Sequence, residues 1–208
     1  MKLEKTNFYS IESNKDPSGK TVYAANITGK EIYRLKGLHL IPNISTCSLI
    51  NIRNTNITMI ETDDFDNLPN TVFVNLALNK NLSYFNENCF HMQNLQLLRF
   101  IGNNFNELPA NVFNVPSLQK LEFANNGVQL IRSTWAIKLA RVTALTLDEP
   151  KLTTLEPGWL NGLFNLQNLY INRNIDQAIQ NQIRIALQNK LTIRLGQPPA
   201  TLGYTANI

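Results

Sequence analysis

The chain has 208 residues, 43% of them hydrophobic and 16% charged, with a formal net charge of +4. That composition suits one soluble domain with a core of its own. The positive excess is small and scattered, which argues against nucleic acid as partner, since such binders cluster Lys and Arg on one face.

The first eight residues, MKLEKTNF, hold no apolar stretch of signal-peptide length, and no segment approaches the roughly 20 apolar residues of a spanning helix. The expectation is a protein without membrane insertion and without a Sec-type leader, the leader having been removed or export using another route. Phe8, Tyr9 and Ile11 precede the turn signal NKDPSGK, and Val22 and Tyr23 follow it. This predicts a hairpin-like N-terminal cap over residues 1–21.

From residue 22 the chain repeats itself. Val22 opens a unit with Ala25, Ile27, Ile32 and Leu35, and Cys47 opens one with Ile50, Ile52, Thr55, Ile57 and Ile60. Phe73 opens FVNLALNKN, whose unit closes one residue short at Phe85. Then come LQLLRFIGNNFNEL from Leu95, LQKLEFANNGVQLI from Leu118, VTALTLDEPKLTTL from Val142 and LQNLYINRN from Leu166. Aligned on LxxLxLxxNxLxxL, the steps are 25, 26, 22, 23, 24 and 24 residues, giving seven units over residues 22–174.

Each LxL segment reads as a short strand with alternate side chains inward, and stacked units make a parallel sheet. The return side carries aromatics near the nineteenth position: Phe65, Phe90 and Phe113, with Trp135 and Trp159 one residue earlier. One unit cannot bury its apolar edge, but a stack buries a continuous core. Asn at the ninth position (Asn81, Asn103, Asn126 and Asn174) is expected to satisfy backbone groups in the turn leaving the strand. Lys30, Thr55 and Pro150 break that series and predict irregular turns.

After Asn174 the pattern stops. Asp176 is a candidate N-cap for a helix presenting Ile179, Ile183 and Leu187 on one face. Leu191, Ile193 and Leu195 then alternate with Thr192 and Arg194, predicting a last strand. Residues 175–195 are thus read as a C-terminal cap, and residues 196–208, with Pro198 and Pro199, as an extended or mobile tail.

The units resemble the typical leucine-rich repeat of about 24 residues, found in receptor ectodomains and in effectors of intracellular bacteria such as Legionella. The resemblance implies an α/β solenoid, a right-handed superhelix with a parallel concave sheet, that binds proteins. Some such bacterial effectors carry a separate ubiquitin-ligase domain with a catalytic cysteine. Too little chain follows the repeats to hold one, so that activity is not implied.

Outward strand positions (third, fifth, seventh and eighth of each unit) map the concave surface. Leu49, Leu97 and Ile101 are apolar there, flanked by Arg53, Lys80, Arg99 and Lys120, and beyond them the sign changes to Glu122, Asp148 and Glu149. An apolar spot rimmed by charge resembles an interface core with a steering rim. Arg99 and Tyr170 are of the types that dominate binding energy. The expected site therefore comprises Leu49, Arg53, Lys80, Leu97, Arg99, Ile101, Lys120, Glu122, Asp148 and Tyr170. The competing reading is an ordinary surface with scattered apolar residues.

No catalytic or metal site and no cofactor is expected. Cys47 falls at an inward position, and Cys89 and His91 lack the further ligands or base that zinc or thiol chemistry requires. His39 has no ligand company, and G-x-S-x-G, H-E-x-x-H and P-loop patterns are missing. Sequons occur at Asn26, Asn43, Asn56 and Asn81, and a glycan on Asn81 is expected to conflict with a buried turn role. The reading is a monomeric protein-binding module, acting as a bacterial virulence effector on a host protein in the host cytoplasm. The alternatives are a leaderless receptor-like ectodomain and an enzyme with an unrecognised site.

Overall fold

A computed structural model describes residues 8–16, 18–107, 110–172, 175–188 and 193–197. The readings that involve Arg173, Asn174, Leu191, Thr192, Pro198 and Pro199 lie outside the described residues.

Strand β1 (Tyr9–Lys15) runs antiparallel to β2 (Thr21–Gly29), with Tyr9 opposite Ile27 and Lys15 opposite Thr21. Asp16 closes the turn by accepting from the Ser18 and Lys20 amides. β2 is also the first strand of the parallel stack, pairing with the next repeat, so hairpin and first repeat share it.

The chain then adds one parallel strand per turn: β3 (Leu49–Thr55), β5 (Phe73–Ala77), β7 (Leu97–Ile101), β8 (Lys120–Ala124), β10 (Ala144–Asp148) and β12 (Asn168–Ile171). A short β13 (Arg194–Gly196) pairs with β12 and completes nine described strands in one sheet. On the return side, β4 (Met59–Ile60) pairs with β6 (Tyr84–Phe85), and β9 (Leu130–Ile131) pairs with β11 (Thr154–Leu155). Among the described residues helix is sparse: two 3-10 turns, Leu38–Leu40 and Ile44–Thr46, and helix α1 (Gln177–Leu187).

The core lies between sheet and return. The inward pairs Ala25/Ile27, Ile50/Ile52, Val74/Leu76, Leu98/Phe100, Leu121/Phe123, Leu145/Leu147 and Leu169/Ile171 are none more than 5% exposed. Phe65 stacks on Phe90 at 5.4 Å, and Phe90 on Phe113 at 5.9 Å, carrying the return side from unit to unit. Trp135 continues that column, and its indole N–H donates to the Trp159 carbonyl at 2.9 Å. Such contacts repeat along a one-dimensional stack, so each turn seals its neighbour. Gly162 marks the closest approach on that side: a Cβ there would stand 2.0 Å from the Ala136 carbonyl oxygen.

The third unit has a different register from the one expected. Its first inward residue is Thr71, fully buried, whose hydroxyl donates to the Cys47 carbonyl at 3.0 Å. Val74 and Leu76 point inward, Phe73 points outward, and Leu78 adopts a left-handed backbone at φ 57°. The turn asparagine is Asn79, not Asn81. A polar Thr in leucine's place and an apolar Phe73 two residues on shift the apparent period, and restoring it gives even steps of 24 residues on both sides.

Asparagines at the ninth position form a ladder. The side-chain amides of Asn79, Asn103 and Asn126 donate to the Ile52, Leu76 and Phe100 carbonyls of the preceding turn. Their side-chain oxygens accept from the backbone of Thr55, Asn79 and Asn103 respectively. Buried backbone groups that no strand can pair are satisfied in this way. At Pro150 the turn departs from the pattern, as expected. The residue before a proline avoids helical backbone, and Glu149 stays out of the left-handed region that Asn54, Leu78, Gly102 and Asn125 occupy at the same position. Its carboxylate takes the missing asparagine's place.

A second ladder, not foreseen, runs along the other edge. Asn70, Asn94 and Asn165 donate to the Ser45, Pro69 and Ala140 carbonyls. At the C-terminal end, Asp176 accepts from the Ala178 amide at 2.7 Å and starts α1, whose Ile179 and Ile183 are buried against the last turn. Leu187 is half-buried there. Leu195 is aligned with inward Leu169 yet 56% exposed, because no described turn stacks over it.

Candidate protein-binding face

Parallel pairing sets the outward residues of adjacent strands side by side. Leu49 faces Phe73, Phe73 faces Leu97, and Leu97 faces Lys120 along one row. The next row runs Asn51, Asn75, Arg99, Glu122, Thr146 and Tyr170. A third carries Arg53, Ala77, Ile101, Ala124 and Asp148. Nine of the ten expected site residues thus lie on the outward side of one sheet. Lys80 does not: with the third unit in its true register, it stands in the turn after Asn79.

Exposure corrects the apolar part of the expected site. Ile101 is only 2% exposed, packed between Ala77 and Ala124 in a small cluster on the outward face, apart from the main core. Leu49 is 7% exposed. The accessible apolar ground is instead half-buried Leu97 with Phe73, which the shifted register had turned inward.

Pairing corrects the charge pattern. Arg99 Nε donates to Glu122 Oε2 at 2.5 Å, and the guanidinium carbon lies 5.3 Å from the centre of the Phe73 ring. These side chains are 15% and 14% exposed, so Arg99 and Glu122 form a neutral, held platform rather than two free charges of opposite sign. Glu149 leaves the surface altogether. Its two carboxylate oxygens accept from Asn126 N and Nδ2, Gly127 N and Val128 N, and burial pushes its pKa up against those hydrogen bonds. Asp148 accepts from Asn172 Nδ2 at 2.5 Å. Among the described residues, Arg53 and Lys120 enter no ion pair.

One polar feature of this face escaped the sequence reading. Asn75 donates to Asn51 at 2.9 Å and Asn51 to Asn26 at 3.1 Å, an amide chain lying flat along the sheet. It ends on the buried Oδ1 of Asn75, which has no described partner. Asparagine recurs at the fifth position of three consecutive units only when the third opens at Thr71, so the register that opens at Phe73 hides the signal.

The remaining chemistry-bearing groups are structural in geometry. Cys47 and Cys89 are buried free thiols whose pKa values burial raises, which makes poor nucleophiles. Both ring nitrogens of His91 are engaged, with Nε2 at 2.8 Å from Asp66 and Nδ1 at 3.0 Å from the Asn88 carbonyl. Asp64 is buried, with Oδ2 accepting from Glu61 N and Oδ1 unpartnered. Burial raises its pKa to about 7, the Glu61 amide opposes this, and the charges of Glu61 and Asp63 add to it. Among the described residues no group of three or more His, Cys, Asp or Glu is placed to hold a metal, and no helix is long and apolar enough to cross a membrane.

Residues 116–175 match the leucine rich repeat family. No curated protein sequence matches the chain. Among solved structures, it is similar to a chain in the Toll–Spatzle complex, a molecular hub in Drosophila development and innate immunity, in its glycosylated form. The TM-score is 0.60 at 22% identity, covering 73% of this chain and 21% of that one, so this chain spans about a fifth of its structural relative. Solenoids of this class present an extended concave surface to other proteins and are generally binding modules rather than enzymes. With nine strands in register, inward apolar pairs and an asparagine ladder, the chain is folded as a leucine-rich-repeat solenoid.

Proposed function

We propose that this protein binds a protein partner through the concave face centred on β5, β7 and β8. The supporting observation is the platform itself: Arg99 is locked between Phe73 and Glu122, beside half-buried Leu97. Preordered side chains lose little entropy on binding, and Arg and aromatic anchors of this type carry interface energy. Affinity capture from lysate, comparing the wild type with a Leu97→Asp/Lys120→Glu variant of equal thermal stability, tests this. Retention of the same partner by the variant would rule the face out. Ile101→Asp is unsuitable for that purpose, because it would bury a charge.

The effector role on a host protein extends this reading and draws on the sequence resemblance. A translocation assay into host cells tests it, and the absence of delivery together with a partner from the producing cell would remove it. A receptor-like ectodomain is the second reading, favoured by exposed sequons at Asn43 and Asn81. Because Asn79 holds the turn, Asn81 has no buried turn role: it is exposed, and its amide bonds the Asn56 side chain at 3.3 Å. Intact-mass analysis of native material without glycan at either position would dismiss it.

A further inference from the structure

Pairing and burial leave the concave face with a charge pattern that its sequence conceals. Glu149 is buried, Glu122 is neutralised by Arg99, and Asp148 is engaged by Asn172 at the far end. Between β3 and β8 the unneutralised charges at outward strand positions are Arg53 and Lys120, both positive. They stand at opposite corners, three strand spacings and four residues apart, which is about 19 Å on a regular sheet. On the same grid the line between them runs between Asn75 and Arg99, with Leu97 about 3 Å to one side.

We propose that this face takes an extended acidic protein segment: an apolar side chain seated on Leu97 and Phe73, with carboxylates on either side reaching Arg53 and Lys120. This rests on the concave-face reading above and adds the chemistry of the occupant. Two cations separated by about 19 Å match carboxylates roughly six residues apart in an extended chain, at ~3.3 Å per residue. A basic segment would meet two like charges that no acidic side chain among these strand positions offsets, which costs affinity and slows encounter.

The test uses the full chain and three blocked ten-residue peptides, read by fluorescence anisotropy. One carries Glu six residues apart around a Leu-Phe centre, the second has Lys for Glu, and the third has Ser-Ser for Leu-Phe. The proposal expects the first to bind at least about tenfold more tightly than either other, a difference of ~1.4 kcal/mol. It also expects weakening by added salt and about tenfold loss in Arg53→Glu/Lys120→Glu. The milder Arg53→Ala/Lys120→Ala pair should show a smaller loss in the same direction if the reversed pair folds poorly. Equal or tighter binding of the Lys peptide, no binding of the Glu peptide, or indifference of the Glu peptide to both charge variants overturns the proposal. A Leu97→Asp arm separates the two readings. Lys-peptide binding that Leu97→Asp abolishes leaves the face in place and discards the acidic occupant, whereas peptide binding that ignores Leu97→Asp discards both.

Discussion

Asn126 Nδ2 lies 2.6 Å from Glu149 Oε1, so the asparagine ladder ends on a buried carboxylate one turn on. Three backbone amides, of Asn126, Gly127 and Val128, depend on the same group. Glu149→Ala should therefore cost about 2–4 kcal/mol, the penalty of stranding several buried donors. Glu149→Gln, which offers one oxygen instead of two and turns an NH2 toward N–H groups, should cost roughly half that. Urea titrations of the two variants measure both.

The register of the third unit is testable in a pair of alanine substitutions. Asn79→Ala removes a donor to the Ile52 carbonyl and an acceptor for Thr55, and should destabilise by about 3 kcal/mol. Asn81 is exposed, and among the described residues its side chain bonds the Asn56 side chain alone, at 3.3 Å, so Asn81→Ala should stay within about 0.5 kcal/mol of wild type. The reverse ranking in denaturant melts would restore the alternative alignment.

Leu78 holds a left-handed backbone where the neighbouring turns use Asn54, Gly102 and Asn125. That conformation crowds a leucine Cβ against its carbonyl, at about 1 kcal/mol or more. Leu78→Asn should raise the melting temperature by a few degrees, the equivalent of ~1 kcal/mol. A fall on calorimetry would show that the leucine side chain contributes more by contact than its backbone costs.

Asp64 gives the stack a pH dependence. Its folded pKa of about 7 lies above the ordinary 3.8, so folding favours the protonated acid. The contribution is fully present below about pH 4 and is lost as pH rises toward 7. Asp64→Asn should be more stable than wild type at pH 8 by about 2–4 kcal/mol, and the difference should shrink to near zero at pH 4. Stability curves of the two proteins that stay parallel across that range would contradict this.

Most of the fold was legible because the signal is physical repetition. In the units opening at Leu95 and Leu118, apolar residues occupy the inward positions and Asn the turn, so hydrophobic period and polar bonding agree. The third unit misled because Thr71 is buried through a single hydrogen bond to the turn below, which no hydropathy pattern reveals. The site was legible in its placement and not in its state. Outward positions follow from strand alternation, but whether Ile101 is open or roofed depends on the size of Ala77 and Ala124 beside it. Arg99 and Glu122 share one position on adjacent strands, so their pairing could have been read. Glu149 could not, since its inward turn follows from the backbone restriction that Pro150 imposes.

The concave-face account is most directly tested by site-specific photo-crosslinking to the captured partner. A benzoylphenylalanine is placed at Leu97 in one protein and at Phe164, 77% exposed in the turn before β12, in another. The account predicts a crosslinked partner from position 97 and none from position 164. A partner crosslinked from position 164 alone would contradict it.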